Sequence, residues 1–316
     1  MSEQNNDWER SVLEKLALSA IQEQRRSRRW GIFFKFATFA YLSFILILIM
    51  GWIGGESGLT SGKHTALIEL EGVISEKSQA SADNLIASLQ AAFSDKGTQG
   101  IVLRINSPGG SPVQAGLVND EIHRLRASHP NIPIYAVVED ICASGGYYIA
   151  VAADKIYVNK ASIVGSIGVL MDGFGFTGTM NKLGVERRLL TAGANKGFMD
   201  PFSPRNPKHE AFTKLMLEEI HQQFISVVRE GRGKRLKESP EIFSGLFWSG
   251  QKSIELGLAD EIGSLGTVAR DVIKAEEVVD FTARDGLADR LAKRFGAGVA
   301  SALPNFSAKS EGFTLR

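Results

Sequence analysis

Hydrophobic and polar residues fall in blocks along this chain. The first 29 residues are polar, carry a short helical pattern around Trp8 to Ile21, and end in Arg25-Arg26-Ser27-Arg28-Arg29. Trp30 to Ile53 is then apolar apart from Lys35, Thr38 and Ser43, and the uncharged run Phe36 to Ile53 spans roughly 27 Å as a helix at ~1.5 Å per residue. The pattern predicts a membrane-spanning helix over 30–54. Arginines crowd its N-terminal flank, while the other flank has Glu56 and no cation before Lys63, so the positive-inside rule puts residues 1–29 in the cytoplasm and the rest of the chain outside. The long preceding segment, with no small-residue cleavage signal, favours a retained anchor over a cleaved leader.

Residues 55–63 read as a Gly/Ser linker. From His64 the pattern changes to short β-rich apolar runs taking turns with helical periodicity. It predicts strands over Thr65–Leu70, Gly100–Ile105, Ile134–Val138 and Lys155–Asn159. Helices are predicted over Ser81–Phe93, Val113–Arg126, Tyr147–Ala153 and Pro207–Arg229. Repeated βα units imply a mainly parallel sheet with helices on its faces, here one α/β domain over 64–280. Residues 281–316 read as a weakly amphipathic helix, Asp285 to Ala302, and a polar tail that reads as disordered.

With 316 residues, 44% hydrophobic and 22% charged, the chain can bury a full-sized core. A net charge of +1 gives no electrostatic reason to expect a nucleic-acid partner. Zinc-type Cys/His spacing, a P-loop and a dinucleotide fingerprint are all missing, so no cofactor or metal is expected. The single cysteine, Cys142, excludes an intramolecular disulfide framework.

Two glycine-rich stretches stand where a predicted strand gives way to a helix. One is Asn106-Ser107-Pro108-Gly109-Gly110-Ser111, the other Cys142-Ala143-Ser144-Gly145-Gly146. At such a junction a serine hydroxyl points out of a tight turn beside the free N–H groups of the first helical turn, which suits a nucleophile and an oxyanion site. The same junction fits an N-cap serine followed by glycines that allow close packing. Two such turns in succession would lie near each other at the carboxyl edge of a parallel sheet. Cys142, in the apolar end of the strand, is a second nucleophile candidate, ranked below Ser144 as inert packing.

The order of motifs resembles the signal peptide peptidase A (SppA) family. It runs Asn106-Ser107-Pro108-Gly109-Gly110, then Ala143-Ser144-Gly145-Gly146-Tyr147, then Val164-Gly165-Ser166-Ile167-Gly168-Val169. Gly193-Ala194-Asn195-Lys196-Gly197, Asp200-Pro201-Phe202, Phe247-Trp248-Ser249-Gly250 and Gly257 to Gly263 complete it, so that the resemblance covers about His64 to Gly266. It implies a single-length, membrane-anchored bacterial serine peptidase of the ClpP/crotonase fold, with α/β ββα-type units and a mainly parallel sheet. By motif position it implies Ser144 as nucleophile, Lys196 as general base, Ser166 orienting the lysine, and Gly109 and Gly145 as oxyanion donors. Its substrates would be remnant signal peptides at the bacterial inner (cytoplasmic) membrane, with the catalytic domain periplasmic. Its protomers would form a homo-oligomeric ring that shares each Ser/Lys dyad between neighbours.

The residues can be weighed apart from the resemblance. A Ser/His/Asp enzyme needs an imidazole near its serine, and none of the five histidines falls between Pro130 and Lys208, although a triad is spatial. His129 and His209 read as surface residues in polar loops. Lys196 must be neutral to accept a proton, whereas an ordinary lysine has a pKa of ~10.4. Phe198, Met199, Pro201 and Phe202 are expected to supply a dry pocket, and Asp200 is the opposing influence. Glu139 and Asp140 read as loop residues, and Arg229 to Arg235 as a solvated basic patch able to meet lipid head groups. A crotonase-type acyl-CoA enzyme and a non-catalytic membrane scaffold stay open as other functions.

Overall fold

A computed structural model describes residues 3–53 and 62–283. Apart from residues 62–63, the expected linker lies outside the described residues, as do the expected 285–302 helix and the tail beyond it. Helix α1 (Glu3–Ile53) is one unbroken helix, uninterrupted by proline, and within it Glu23–Leu46 is long and apolar enough to cross a membrane by length and composition.

Residues 62–283 build a compact α/β unit. It begins with β1 (His64–Glu71), whose apolar run is buried on both faces as a central parallel strand requires. Helix α2 (Ala82–Ser94) is started by Ser81, whose hydroxyl accepts the Asn84 N–H, and it turns Leu85, Leu89 and Phe93 inward. β2 (Thr98–Ser107) leads through the Ser111 cap into α3 (Pro112–Ser128), with Pro112 in the first turn, where the missing N–H costs nothing. β3 (Ile134–Ala143), α4 (Gly145–Ala150), β4 (Lys155–Val158) and β5 (Ile163–Gly165) follow. After them come α5 (Thr177–Leu183), α6 (Pro207–Arg232), β6 (Phe247–Ser249), α7 (Gly250–Glu255), β7 (Glu261–Ile262) and β8 (Val278–Asp280).

The described strands form one sheet in the order β6-β5-β3-β2-β1-β8, with β4 also on β3 and β7 on β4. Every pairing is parallel except β5 with β6. Helices α2, α3, α4 and α6 cover one face over a core that includes Ile68, Leu70, Leu103, Ile105 and Val228. Leu67, Val102, Val137, Tyr157 and Val268 form a smaller core on the other face. Burying each such side chain contributes ~1.5–3 kcal/mol, so the sheet is a rigid platform for whatever stands on its edge.

β3 runs five residues past the predicted strand end. Its first half pairs with β4 and its last three residues, Ile141 to Ala143, pair with β5. Glu139 and Asp140, expected in a loop, are therefore strand residues. The register against β2 breaks between Ile105 and Ser107, a bulge that absorbs the extra residues and leaves both carboxylates exposed. Glu139 faces Arg104 at 3.4 Å.

Candidate active site

Ser144 stands at the junction of β3 and α4 with φ 52° and ψ −123°, a conformation that costs a side-chain-bearing residue ~1–3 kcal/mol. Its backbone is held from both sides. The N–H donates to the Gly165 carbonyl at 2.9 Å, and its own carbonyl accepts the Tyr148 N–H at 2.9 Å. Its hydroxyl makes no capping bond to α4, which removes the N-cap explanation for a serine here. What remains is a half-buried hydroxyl presented on a strained turn, with its hydrogen bonding uncommitted among the described residues.

The turn after β2 abuts this elbow. Gly109 has φ 100°, and a Cβ there would stand 2.7 Å from both the Gly145 nitrogen and the Ser144 Cβ. A Cβ on Gly110 would stand 2.1 Å from the Ile74 carbonyl oxygen, so only glycine fits either position. The two Gly-rich turns thus meet at the carboxyl edge of the sheet, as their spacing predicts. The Gly109 N–H is committed to the Ser107 hydroxyl at 3.1 Å, which conflicts with the expectation that it serves an oxyanion. The Gly110 N–H has no acceptor among the described residues, and its nitrogen lies 3.3 Å from where a Cβ on Gly145 would stand. Of the two glycines, Gly110 is therefore the open donor beside Gly145. The sequence signal for it is the Gly-Gly pair itself; the hydroxyl that occupies the first N–H is visible only in the structure.

Ser166 follows β5 directly and also has a positive φ, 53°. Its N–H donates to the carbonyl of Leu246, the residue before β6, at 2.7 Å, while the Ser144 N–H bonds to the carbonyl of Gly165. The two serines are neighbours through one backbone hydrogen bond.

Lys196 lies elsewhere in character. It sits in a turn closed by its own N–H to the Gly193 carbonyl at 3.1 Å and by Phe198 N–H to Asn195 at 3.0 Å, and its side chain is exposed. The dry pocket expected around it does not form within one chain. Phe198 packs on the His209 ring at 4.7 Å, and Phe202 stacks on Phe176 at 5.4 Å, so these rings cover each other instead of the lysine. Asp200 is also occupied. The Ser203 hydroxyl bonds its carboxylate at 2.6 Å, and with the Phe202 N–H and Arg187 it holds the carboxyl below the usual range. Lys196 makes no ion pair among the described residues.

Other candidates fall away on geometry. Cys142 is fully buried and burial pushes its thiol up, away from the reactive thiolate. None of the five histidines hydrogen-bonds Ser144. His129 ends α3 against Phe93, and His209 is a helix residue of α6 rather than a loop residue. The basic stretch Arg229 to Arg235 is solvated at Arg229, Lys234 and Arg235 but not at Arg232. Arg232 is buried and grips Asp260 with two bonds of 2.8 and 2.9 Å, Arg229 pairs with Glu238, and Arg235 bonds the carbonyls of Gly231 and Asp154. Burial pushes the Asp260 carboxyl up, but the Arg232 guanidinium and the Ile156 N–H outweigh it and hold the group below its ordinary value.

Residues 126–279 match the family model described as Peptidase family S49. A putative signal peptide peptidase SppA from Enterococcus faecium is 28% identical over 230 residues, covering 70% of this chain and 66% of that protein. A probable protease SohB from Haemophilus influenzae is 30% identical over 196 residues, 62% of this chain and 54% of that one. A Brucella melitensis protein named as the Na(+)/H(+) antiporter NhaA is 46% identical over 177 residues, which are 56% of this chain and 24% of that protein. The chain thus spans about a quarter of the antiporter-named relative and about two thirds of the SppA-named one. Read with the parallel sheet and the serine elbow on its edge, these matches make residues 126–279 similar to the SppA-like domains of peptidase family S49.

Proposed function

We propose that this protein is a membrane-anchored serine endopeptidase in which Ser144 is the nucleophile and Lys196 of a neighbouring copy is the general base. The observation that carries the reading is the Ser144 elbow, a strained serine with a free hydroxyl set beside the open N–H groups of Gly110 and Gly145. The Ser144 hydroxyl attacks a peptide carbonyl as its proton passes to the lysine amine. The two N–H groups stabilise the oxyanion, the leaving amine takes the proton back, and water then hydrolyses the acyl-enzyme by the same route. Ser166, one backbone bond from the elbow, orients the lysine.

The exposed setting of Lys196 supports a shared site. Segment 170–206 leaves the large apolar side chains of Leu170, Phe174 and Leu190 exposed by 80, 79 and 95% within one chain. A second copy laid over it would both cover this surface and dry the lysine. Such a contact is head-to-tail, and the closed form of a head-to-tail assembly is a ring. The apolar part of α1 from Trp30 onward anchors the chain in the bacterial inner membrane, with residues 1–29 cytoplasmic and the peptidase domain of 64–280 periplasmic. Its substrates are signal-peptide remnants left in that membrane, bound as an added strand.

Subunit mixing tests this. Ser144→Ala and Lys196→Ala chains, each inactive alone, should regain activity when co-assembled, with intact pairs at about a quarter of random interfaces. If the two variants share oligomers by pull-down and stay inactive together, the shared dyad is wrong.

A further inference from the structure

Ser107 ends β2 and is wholly buried. Its hydroxyl donates to the Gly72 carbonyl just beyond β1 at 2.6 Å and accepts the Gly109 N–H at 3.1 Å. Its main chain backs onto the serine elbow, since a Cβ on Gly146 would stand 3.1 Å from the Ser107 carbonyl oxygen. The same turn is laced to the loop after β1 by the Ile74 N–H to the Gly109 carbonyl and the Ser111 N–H to the Ile74 carbonyl, both 2.9 Å. One buried hydroxyl therefore links the exit of β1 to the Gly109-Gly110 turn on the sheet edge where α4 begins.

We infer that Ser107 is a positioning residue for oxyanion stabilisation. Two consecutive glycines, at φ 100° and 152°, give the turn freedom to rotate its peptide planes. If a plane rotates, the Gly109 N–H enters the site or the Gly110 N–H leaves it. The Ile74 N–H holds the Gly109 carbonyl, which shares its peptide plane with the Gly110 N–H, and Ser107 holds the plane before it through the Gly109 N–H, so that the two bonds together keep the Gly110 donor free beside Gly145. The donor is thus in place before the carbonyl arrives, which is what makes such a site effective. This rests on the reading of Ser144 as nucleophile and Gly110 as donor.

The test compares Ser107→Ala and Ser107→Cys in the full-length protein, using a fluorogenic peptide and a peptide aldehyde whose hemiacetal oxygen needs the same N–H groups. Ser107→Ala should lower kcat about 10–100-fold while KM stays within about threefold. Aldehyde affinity should fall by the same factor as kcat/KM, with Ser144 still labelled by a fluorophosphonate. Ser107→Cys, similar in shape with a weaker hydrogen-bonding group, should fall between. Unchanged aldehyde affinity, unchanged kcat, or a rise in KM that follows a lower Tm in both variants overturns the inference. Failure of the underlying reading has its own mark, hydrolysis and labelling that survive in Ser144→Ala.

Discussion

The serine elbow and the lysine segment are 52 residues apart in the chain and opposite in construction. Around Ser144 nearly every backbone group is spoken for, and glycines stand where no other residue fits. Around Lys196 the turns are local, the side chains from Glu186 to Lys196 are exposed, and the rings nearby pack on each other. A site built from two such halves separates rigidity from completeness. In the proposed assembly the nucleophile is fixed within one chain, at a cost in backbone strain that the sheet can bear, while the base would gain its surroundings from a neighbour.

The largest effect that can break this contrast lies at the elbow. Ser144→Ala should lower peptide hydrolysis by about 10⁴-fold or more. Ser144→Gly should be as inactive yet raise stability in urea by ~1 kcal/mol, because glycine adopts the positive φ without strain. If Ser144→Gly is no more stable than the parent, the strained half of the comparison fails.

The next effect lies in α6, which leads from the exposed segment into the core. Replacing Arg232 with methionine leaves the Asp260 carboxylate only the partly exposed Arg235 and the Ile156 N–H, and should cost ~3 kcal/mol in a denaturant titration. The Asp260 carboxyl titrates below its ordinary value of 3.8 in the folded chain. Its contribution is therefore complete above that value and is lost as the pH falls through the lower folded one, so the deficit of Asp260→Asn should shrink between about pH 5 and pH 2. A deficit that stays constant over that range would show that the pair does not act through charge.

The smallest effect sharpens the other half. Leu190→Ser lies on an exposed side chain and should change the stability of the isolated chain by less than ~0.5 kcal/mol. It should nevertheless shift sedimentation toward smaller species and lower activity. If assembly and activity are both unmoved, this part of segment 170–206 is a finished surface.

The sheet was legible from His64 to Val138 because its strands are long apolar runs bounded by capped helices, and Ser81, Ser111 and Pro112 announce their helices by residue type alone. β5 and β6, three residues each, are too short to carry a period, and they brace the two serines. Glu139 and Asp140 broke the apolar pattern because the bulge exposes them, so β3 seemed to end early. The basic stretch misled for a related reason. Arg232 is charged in sequence but buried in fact, and its partner Asp260 is 28 residues away. Ser144 stood out by its place between strand and glycine, whereas the conflict at Gly109 depends on where one hydroxyl points.

The elbow also sets an order of events. Gly72 to Ile74, Ser107 to Gly110, Ala143 to Gly146, Gly165-Ser166 and Leu246 all meet at one edge, and each contact closes a long loop. Pairings of such sequence separation form late in folding, after the local helices. Leu246 and β6 follow Ser144 in the chain, so a chain made only as far as α4 has the serine without the brace that completes its surroundings. The surroundings of the elbow are thus completed only by a part of the chain that is made after the serine itself.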